Sequence, residues 1–201
     1  MTLLEQGAPE SVEGRGVLVL ETERLVLRPP RFEDAAAIAA LGNDRRIAEN
    51  TLRIPYPYTL ADAQAFLTAA NGSGGAEIVF LITTWVGTVL GCCGMAKLDG
   101  EHPEIGYWLG VPFWGKGYAT EAARAVIDHA FGDLGCEVIV GGARVSNPAS
   151  RRVLQKCGFE WTGVGLYRIR ALASSAPVDR FRLDRGLWAS LKSWGKVNRG
   201  T

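Results

Sequence analysis

The sequence predicts a single α/β domain, a mixed sheet of about seven strands covered by helices. Three observations predict it. The first is size: 201 residues, 47% hydrophobic and 21% charged, is the make-up of an ordinary globular chain with one sizeable core. The second is periodicity. Apolar residues switch between alternating and 3–4 spacing in the order β-α-α-β-β-β-α-β-α-β-β. The third is the stretch from Glu104 to Val145, where a strand, a helix and a strand follow one another as a parallel βαβ unit or its splayed equivalent.

Each element has its own grounds. Val17 to Leu20 and Leu25 to Arg28 are extended, and Pro29-Pro30 stops them, which predicts one strand or a strand with a bent entry. Asp34 is placed to cap a helix carrying Ala35, Ile38, Ala39 and Leu41, closed by Gly42-Asn43-Asp44. Asn43 to Tyr58 reads as irregular, because Pro55 and Pro57 disfavour helix. Thr59 caps Leu60 to Ala70, with Ala63, Phe66 and Leu67 on the apolar face. Asn71 to Gly75, NGSGG, follows that helix and reads as a plain loop. Glu77 to Thr83 and Val86 to Met95 pair as a hairpin around Thr84-Trp85, and Asp99-Gly100 marks the next turn.

Glu104 to Leu109 is the central strand, and Pro112 ends its regular pairing. A helical stripe from Ala119 places Ala122, Ala123, Val126, Ile127, Ala130 and Phe131 on one face. Asp133 to Gly135 turns the chain into the strand Cys136 to Val145. Asn147 caps the next helix, Pro148 takes its first position and Gly158 closes it. Phe159 to Arg170 and Val178 to Leu183 end the sheet as a hairpin with a long linking loop. Residues 1–16 read as a flexible lead, 17–191 as the domain and 192–201 as a frayed tail.

Composition excludes several classes. With 22 basic and 21 acidic residues, the net charge of +1 provides no field for nucleic acid or an anionic membrane. Cys92, Cys93, Cys136 and Cys157 include no C-x-x-C pair, and His102 and His129 lie far apart, so no metal signature follows. The cysteines read as small buried hydrophobes in a reducing compartment. The first 16 residues lack a basic start followed by an apolar run, and no apolar stretch reaches the roughly 18 residues of a membrane span. A cytoplasmic protein is the expectation.

The chemistry-bearing stretch is EIGYWLGVPFWGKGYAT, Glu104 to Thr120. Gly115 and Gly117 permit tight backbone turns just before a helix start, which aims free N–H groups at one point and makes an anion site suited to phosphate. The dinucleotide fingerprint G-x-G-x-x-G/A fails at Thr120. The P-loop pattern begins well with Gly110, Gly115 and Lys116 but fails at Gly117, which has no hydroxyl for magnesium.

A third pattern, (Gln/Arg)-x-x-G-x-(G/A), resembles the pyrophosphate loop of the GNAT N-acetyltransferase superfamily. Trp114 stands in its Gln/Arg position, followed by Gly115, Lys116, Gly117, Tyr118 and Ala119. That departure is similar to the RimJ/RimL-like branch. ETERLVLRPPRFEDAAAIAAL (Glu21 to Leu41), IPYPYTLADAQAFL (Ile54 to Leu67), VSNPASRRVLQKCGF (Val145 to Phe159) and DRFRLDRGLW (Asp179 to Trp188) resemble that branch's first strand and helix, second helix, late helix and closing strand. The resemblance covers roughly residues 20 to 190 in order, and implies a single-domain GNAT-like fold whose central strand pair is splayed.

The resemblance implies acetyl transfer from acetyl-CoA to a primary amine, with no metal. The backbone from Gly115 to Thr120, with Lys116, Tyr118 and Ala119 between, would hold the pyrophosphate. Trp108, Leu109 and Gly110 would pair with the pantothenate arm as with an added strand, and an N–H near Leu109 or Val111 would polarise the thioester carbonyl. Two readings stand for Glu104: a base that takes the amine's proton, or a strand residue paired with Arg144. Many members of the superfamily protonate the thiolate with a Tyr on the late helix. Leu154 stands at that position, which leaves Asn147 and Ser150, with Ser150 the sharper choice.

The implied acceptor is a protein N-terminal amine or a small amine such as an aminoglycoside or polyamine. Its groove would be lined by Asn43 to Tyr58, Trp85 and the loop Ala171 to Val178, with Arg45, Arg46 and Arg53 able to meet an acidic acceptor. A non-catalytic acyl-CoA-binding module of the same fold is the alternative. The sequence does not specify the oligomeric state.

Overall fold

The computed structural model describes residues 17–72, 77–97 and 101–197. The lead at 1–16, most of the NGSGG loop, the Asp99-Gly100 turn and residues 198–201 lie outside them. Eight strands form one sheet: β1 (Leu20–Glu21), β2 (Leu25–Arg28), β3 (Glu77–Thr84), β4 (Val89–Ala96), β5 (Glu104–Leu109), β6 (Val138–Arg144), β7 (Glu160–Ile169) and β8 (Ser174–Asp184). Their order across the sheet is β1-β2-β3-β4-β5-β6-β8-β7. Six helices accompany them among the described residues: α1 (Ala35–Gly42), α2 (Arg45–Ala48), α3 (Leu60–Gly72), α4 (Tyr118–Gly132), α5 (Pro148–Lys156) and α6 (Arg185–Val197).

Every neighbouring pair is antiparallel except β5 and β6. Those two run parallel and pair only at Glu104↔Val140 and Ile105↔Gly141. Beyond Ile105 the strands part, and this gap is the splay that the family resemblance implied. Tyr107, Trp108 and Leu109 keep their β4 partners but have none on β6. The backbone on that side of β5 is therefore left for another extended chain.

Strand alternation sends side chains to two cores. Ile105, Tyr107 and Leu109 face the larger one, with Phe80, Val126, Phe131, Ile139, Leu154 and Phe181. Trp108 faces the smaller, with Ile38, Ala63, Leu67 and Leu81 under α1 and α3. The stripe read from the sequence, Ala122 to Phe131, is buried throughout on the inner face of α4.

Several elements differ from their sequence reading. The first strand is two: Thr22 to Arg24 reverse the chain, so β1 lies antiparallel on β2, giving eight strands. The Thr22 hydroxyl makes this turn, accepting from Leu25 N at 3.0 Å. Asp34 precedes α1 but its carboxylate does not cap it; it accepts from Arg31 N at 2.7 Å and from both terminal nitrogens of Arg28. A guanidinium on the neighbouring strand competes better for a carboxylate than one helix N–H does. The region read as irregular contains α2, capped by Asp44, whose Oδ1 accepts from Arg46 N at 2.9 Å. Thr59 and Asp62 form a reciprocal box at the start of α3, so that cap holds.

The long loop near the end is short: Arg170 to Ala173 join β7 to a β8 that starts at Ser174. Pro177 is tolerated there because β6 makes its last register pair at Val178, one residue away. Lys192 to Val197, read as tail, continue α6. Its spacing of Leu187, Trp188 and Leu191 was visible in the sequence, but Gly186 and Gly195 masked it. Trp188 stacks on Phe131 with ring centroids 5.2 Å apart, and its Nε1 donates to Asp128 at 2.8 Å, so α6 is fastened to the C-terminal half of α4.

Candidate active site

The loop between β5 and α4 is shaped by two left-handed glycines. Gly115 and Gly117 have φ of 73° and 84°, where an L side chain is strained. Gly117 directly precedes α4 and supplies no side-chain cap. The first N–H groups of α4 are thus not satisfied from within, and the helix dipole adds partial positive charge there. Gly115, Gly117, Tyr118, Ala119 and Thr120 line a cavity of about 410 Å³ together with Asn147, Ser150 and Trp108. Trp114, the departure from the family loop, has a structural use: its Nε1 donates to Leu109 O at 2.7 Å and closes off the end of β5.

Sequence reading missed the brace beneath this loop. Glu121 in the first turn of α4 accepts from Thr22 Oγ1 at 2.7 Å, Arg24 N at 2.9 Å and Arg24 Nε at 2.7 Å. Arg24 in turn donates to Lys116 O at 3.0 Å and lies over the Tyr118 ring. Burial pushes the Glu121 carboxyl up, but the bonds from Thr22 and Arg24 outweigh it and hold the group below the usual carboxylate range. A Cβ on Gly117 would stand 3.3 Å from Arg24 Nη2. The brace connects residues about a hundred positions apart, so no local pattern reveals it.

Asn147 caps α5 as expected, its Oδ1 accepting from Ser150 N at 3.2 Å. Ser150 faces the splay. Its Oγ lies 3.0 Å from Tyr107 Oη, and the same phenol donates to Ser150 O at 3.1 Å. Burial raises the Tyr107 phenol well above its ordinary value, so it stays protonated and remains a donor. Leu154 is buried in the core, as its identity requires. The late helix has no phenol of its own at Leu154, but β5 brings to Ser150 the phenol of Tyr107, a residue the sequence reading did not single out.

Glu104 sits where β5 and β6 still touch. Its two oxygens accept from Arg180 Nη1 at 3.0 Å and Nη2 at 3.1 Å. The partner is therefore Arg180 on β8 and not Arg144, which donates to Glu49 O at 2.7 Å instead. The reason is register. Gly142 separates Glu104 from β8 without a side chain, and a Cβ there would meet Glu104 Oε1 at 3.3 Å and Arg180 Nη1 at 3.1 Å. Burial alone would lower the Arg180 value, but the hydrogen bonds and charge of Glu104 raise it.

Glu104 lines a second cavity, of about 520 Å³, bounded by Asn50 to Pro55, Tyr58, α3 and the inner parts of β3, β4 and β5. The two cavities share Asn50, Thr51, Tyr107, Trp108 and Ser150. They meet at the splay, with the uncapped start of α4 on one side and Glu104 on the other. Trp85 lines neither cavity; it is exposed in the β3–β4 turn. From the predicted Ala171 to Val178 loop nothing reaches the second cavity, although the adjacent Arg170 does. No group of residues able to hold a metal ion occurs among the described residues. Nor is any described helix long and apolar enough to cross a membrane.

Comparison with known proteins agrees with this geometry. Residues 24–160 match the family model described as an acetyltransferase (GNAT) domain. The uncharacterized N-acetyltransferase p20 from Bacillus licheniformis is 31% identical over 150 residues, covering 72% of this chain and 84% of that protein. Mycobacterium smegmatis RimJ, solved with CoA disulfide, superposes with a TM-score of 0.71 at 20% identity, over 84% of this chain and 86% of its own. RimL, the ribosomal L7/L12 α-N-protein acetyltransferase solved with coenzyme A, gives 0.73 at 17% identity, over 83% and 98%. At such identities the two structures speak for the fold, and the family match speaks for the chemistry: the chain belongs to the GNAT family of N-acetyltransferases.

Proposed function

We propose that the protein transfers the acetyl group of acetyl-CoA to a primary amine across the splay between β5 and β6. The observation that carries this is the junction of the two cavities at Tyr107, Trp108 and Ser150, between an uncapped helix start and a carboxylate. Acetyl-CoA supplies an activated acyl group. The backbone N–H groups from Gly115 to Thr120 suit its diphosphate, with Lys116 a flanking charge. The side of Trp108, Leu109 and Gly110 away from β4 suits its amide-rich arm through the groups not already used, since Leu109 O accepts from Trp114 and Gly110 N donates to Leu90 O, and an N–H near Leu109 or Val111 would polarise the thioester carbonyl.

The amine enters from the side of Glu104. Arg180 uses one lone pair of each carboxylate oxygen, so Glu104 keeps acceptor capacity for the incoming nitrogen. It takes the amine's proton directly or through water as the N–C bond forms and the C–S bond breaks. The Ser150 hydroxyl, held by Tyr107, donates to the departing sulfur, and Asn147 fixes the turn that carries Ser150. The acceptor is a small amine or a protein N-terminus. The four cysteines are free, which suits the reducing cytoplasm.

The test has two readouts. Acetyl-CoA at a hundredfold excess over its dissociation constant should add about 2.7 kcal/mol of stability, roughly 5 °C in melting temperature. An amine panel should then release CoA thiol. A shifted melt with no thiol release from any amine would leave a binding module instead, and an unshifted melt would remove the reading altogether.

A further inference from the structure

The 520 Å³ cavity carries charges of both signs in its wall. Three carboxylates line it among the described residues: Asp62, Glu77 and Glu104. Each already faces a guanidinium. Glu104 is bound at two points by Arg180, Glu77 pairs with Arg53, and Asp62 lies 3.9 Å from Arg170. Asp62 Oδ2 is further engaged by the hydroxyl and N–H of Thr59. Arg53 and Arg170 line the same cavity, so two positive charges of the protein's own already stand in its wall.

Much of the remaining wall is apolar, with Ile54, Pro55, Phe66, Val79, Met95 and Trp108, and Asn50, Thr51, Tyr58, Tyr107 and Ser150 add uncharged polar groups. An ammonium taken out of water needs a carboxylate of its own, and here it would meet Arg53 and Arg170. One nitrogen escapes this cost, the one that reaches Glu104 and gives up its proton on attack. A second or third ammonium on the same molecule has no such relief. The volume lies within the roughly 300–1,000 Å³ of small-molecule sites, and the flat Trp108 and Phe66 side chains suit an aromatic or branched apolar group.

Building on the acetyltransferase reading, we infer that the acceptor is a monoamine carried on a compact apolar body, of the phenethylamine type, and that polycationic amines are disfavoured. The experiment compares phenethylamine with spermidine and kanamycin in two ways. One is kcat/KM for CoA thiol release. The other is calorimetric binding to the CoA-loaded protein, which reports the class even without turnover. Phenethylamine should lead by about tenfold or more in both.

A second arm uses Ala65→Glu. Ala65 lines the cavity from the exposed face of α3, where Glu is a good helix former, so the fold is preserved. The added carboxylate should narrow or reverse the ratio in favour of spermidine. Spermidine or kanamycin leading in the unsubstituted protein, or phenethylamine failing to bind it, would overturn the class while leaving acetyl transfer standing. Bound phenethylamine with no thiol released from any amine would overturn acetyl transfer and support the class.

Discussion

Ser150 and Tyr107 share a 3.0 Å contact, and the chemistry depends on which way its proton points. Tyr107 already has an acceptor in Ser150 O, so its own proton is placed and its oxygen can receive the Ser150 proton in the resting enzyme. In the proposed reaction, charge developing on sulfur would offer that serine proton a better acceptor, with the phenol holding the serine in place. Ser150→Ala should therefore lower kcat while leaving acetyl-CoA affinity within about twofold. Tyr107→Phe removes both contacts with Ser150, of which the one to Oγ, worth about 1 kcal/mol, positions the hydroxyl, so kcat should fall roughly fivefold to tenfold. Single-turnover rates beside acetyl-CoA melts check both; a Tyr107→Phe enzyme with full kcat would reduce Tyr107 to packing. Glu104 is a different case. Arg180 already donates to both of its oxygens, so an incoming amine shares the carboxylate with that guanidinium. Glu104→Gln should cost about 10²-fold, the lower end of what a positioned base supplies. Arg144→Ala, with no contact to Glu104, should leave the rate near normal. Equal rate losses in the two variants would mean that Glu104 acts through the sheet and not on the amine.

At the scale of elements, the loop proposed to hold the diphosphate is shaped by its backbone and braced from below by Arg24 and Glu121. Gly117→Val introduces a branched side chain at φ of 84°, against Arg24 and across the open helix start. Acetyl-CoA affinity should collapse in titration calorimetry while Lys116→Ala loses only a few-fold. If the two lose equally, a side-chain charge holds the diphosphate. Much of this element was legible because its signals are local. Gly115 and Gly117, the stripe from Ala122 to Phe131, and Asn147-Pro148 each declare their structure within a few residues. What escaped was long-range. Glu104 meets Arg180 across 76 residues, Tyr107 meets Ser150 across 43, and Glu121 meets Arg24 across 97. No periodicity encodes such contacts; sheet order and register create them. The mistaken partner Arg144 was a sensible neighbour on β6, displaced because Gly142 opens a direct path to β8. α2, at four residues, is too short to generate a periodic signal.

For the whole molecule, stability should fall off at both ends of the pH scale for different reasons. Asp34 and Glu121 tie the β1–β2 edge to α1 and α4. Burial disfavours charge on both, yet bonds from Arg28 and Arg31 to one, and from Thr22 and Arg24 to the other, hold both below the ordinary carboxylate value. Such groups stabilise the fold fully above their unfolded values of about 4, and that contribution disappears as pH falls through the depressed folded values. The alkaline side belongs to thiols. Cys92, Cys93 and Cys157 are free and buried, and burial drives all three upward, Cys157 to about 11. In the unfolded chain a thiol ionises near pH 8.5, so above that the unfolded state sheds protons that the folded state retains. The stability these neutral thiols hold below pH 8.5 is therefore lost as pH rises, at about 1.4 kcal/mol per pH unit for each group still protonated in the fold. Urea melts should show a plateau from about pH 6 to 8 and a steep fall between 9 and 11. Cys93→Ala should flatten that fall at some cost to stability at pH 7, since it trades a buried sulfur for a small void between α4 and the sheet. An alkaline slope unchanged in Cys93→Ala, with the plateau lowered, would assign the loss to deprotonating lysine or tyrosine pairs and not to the buried thiols.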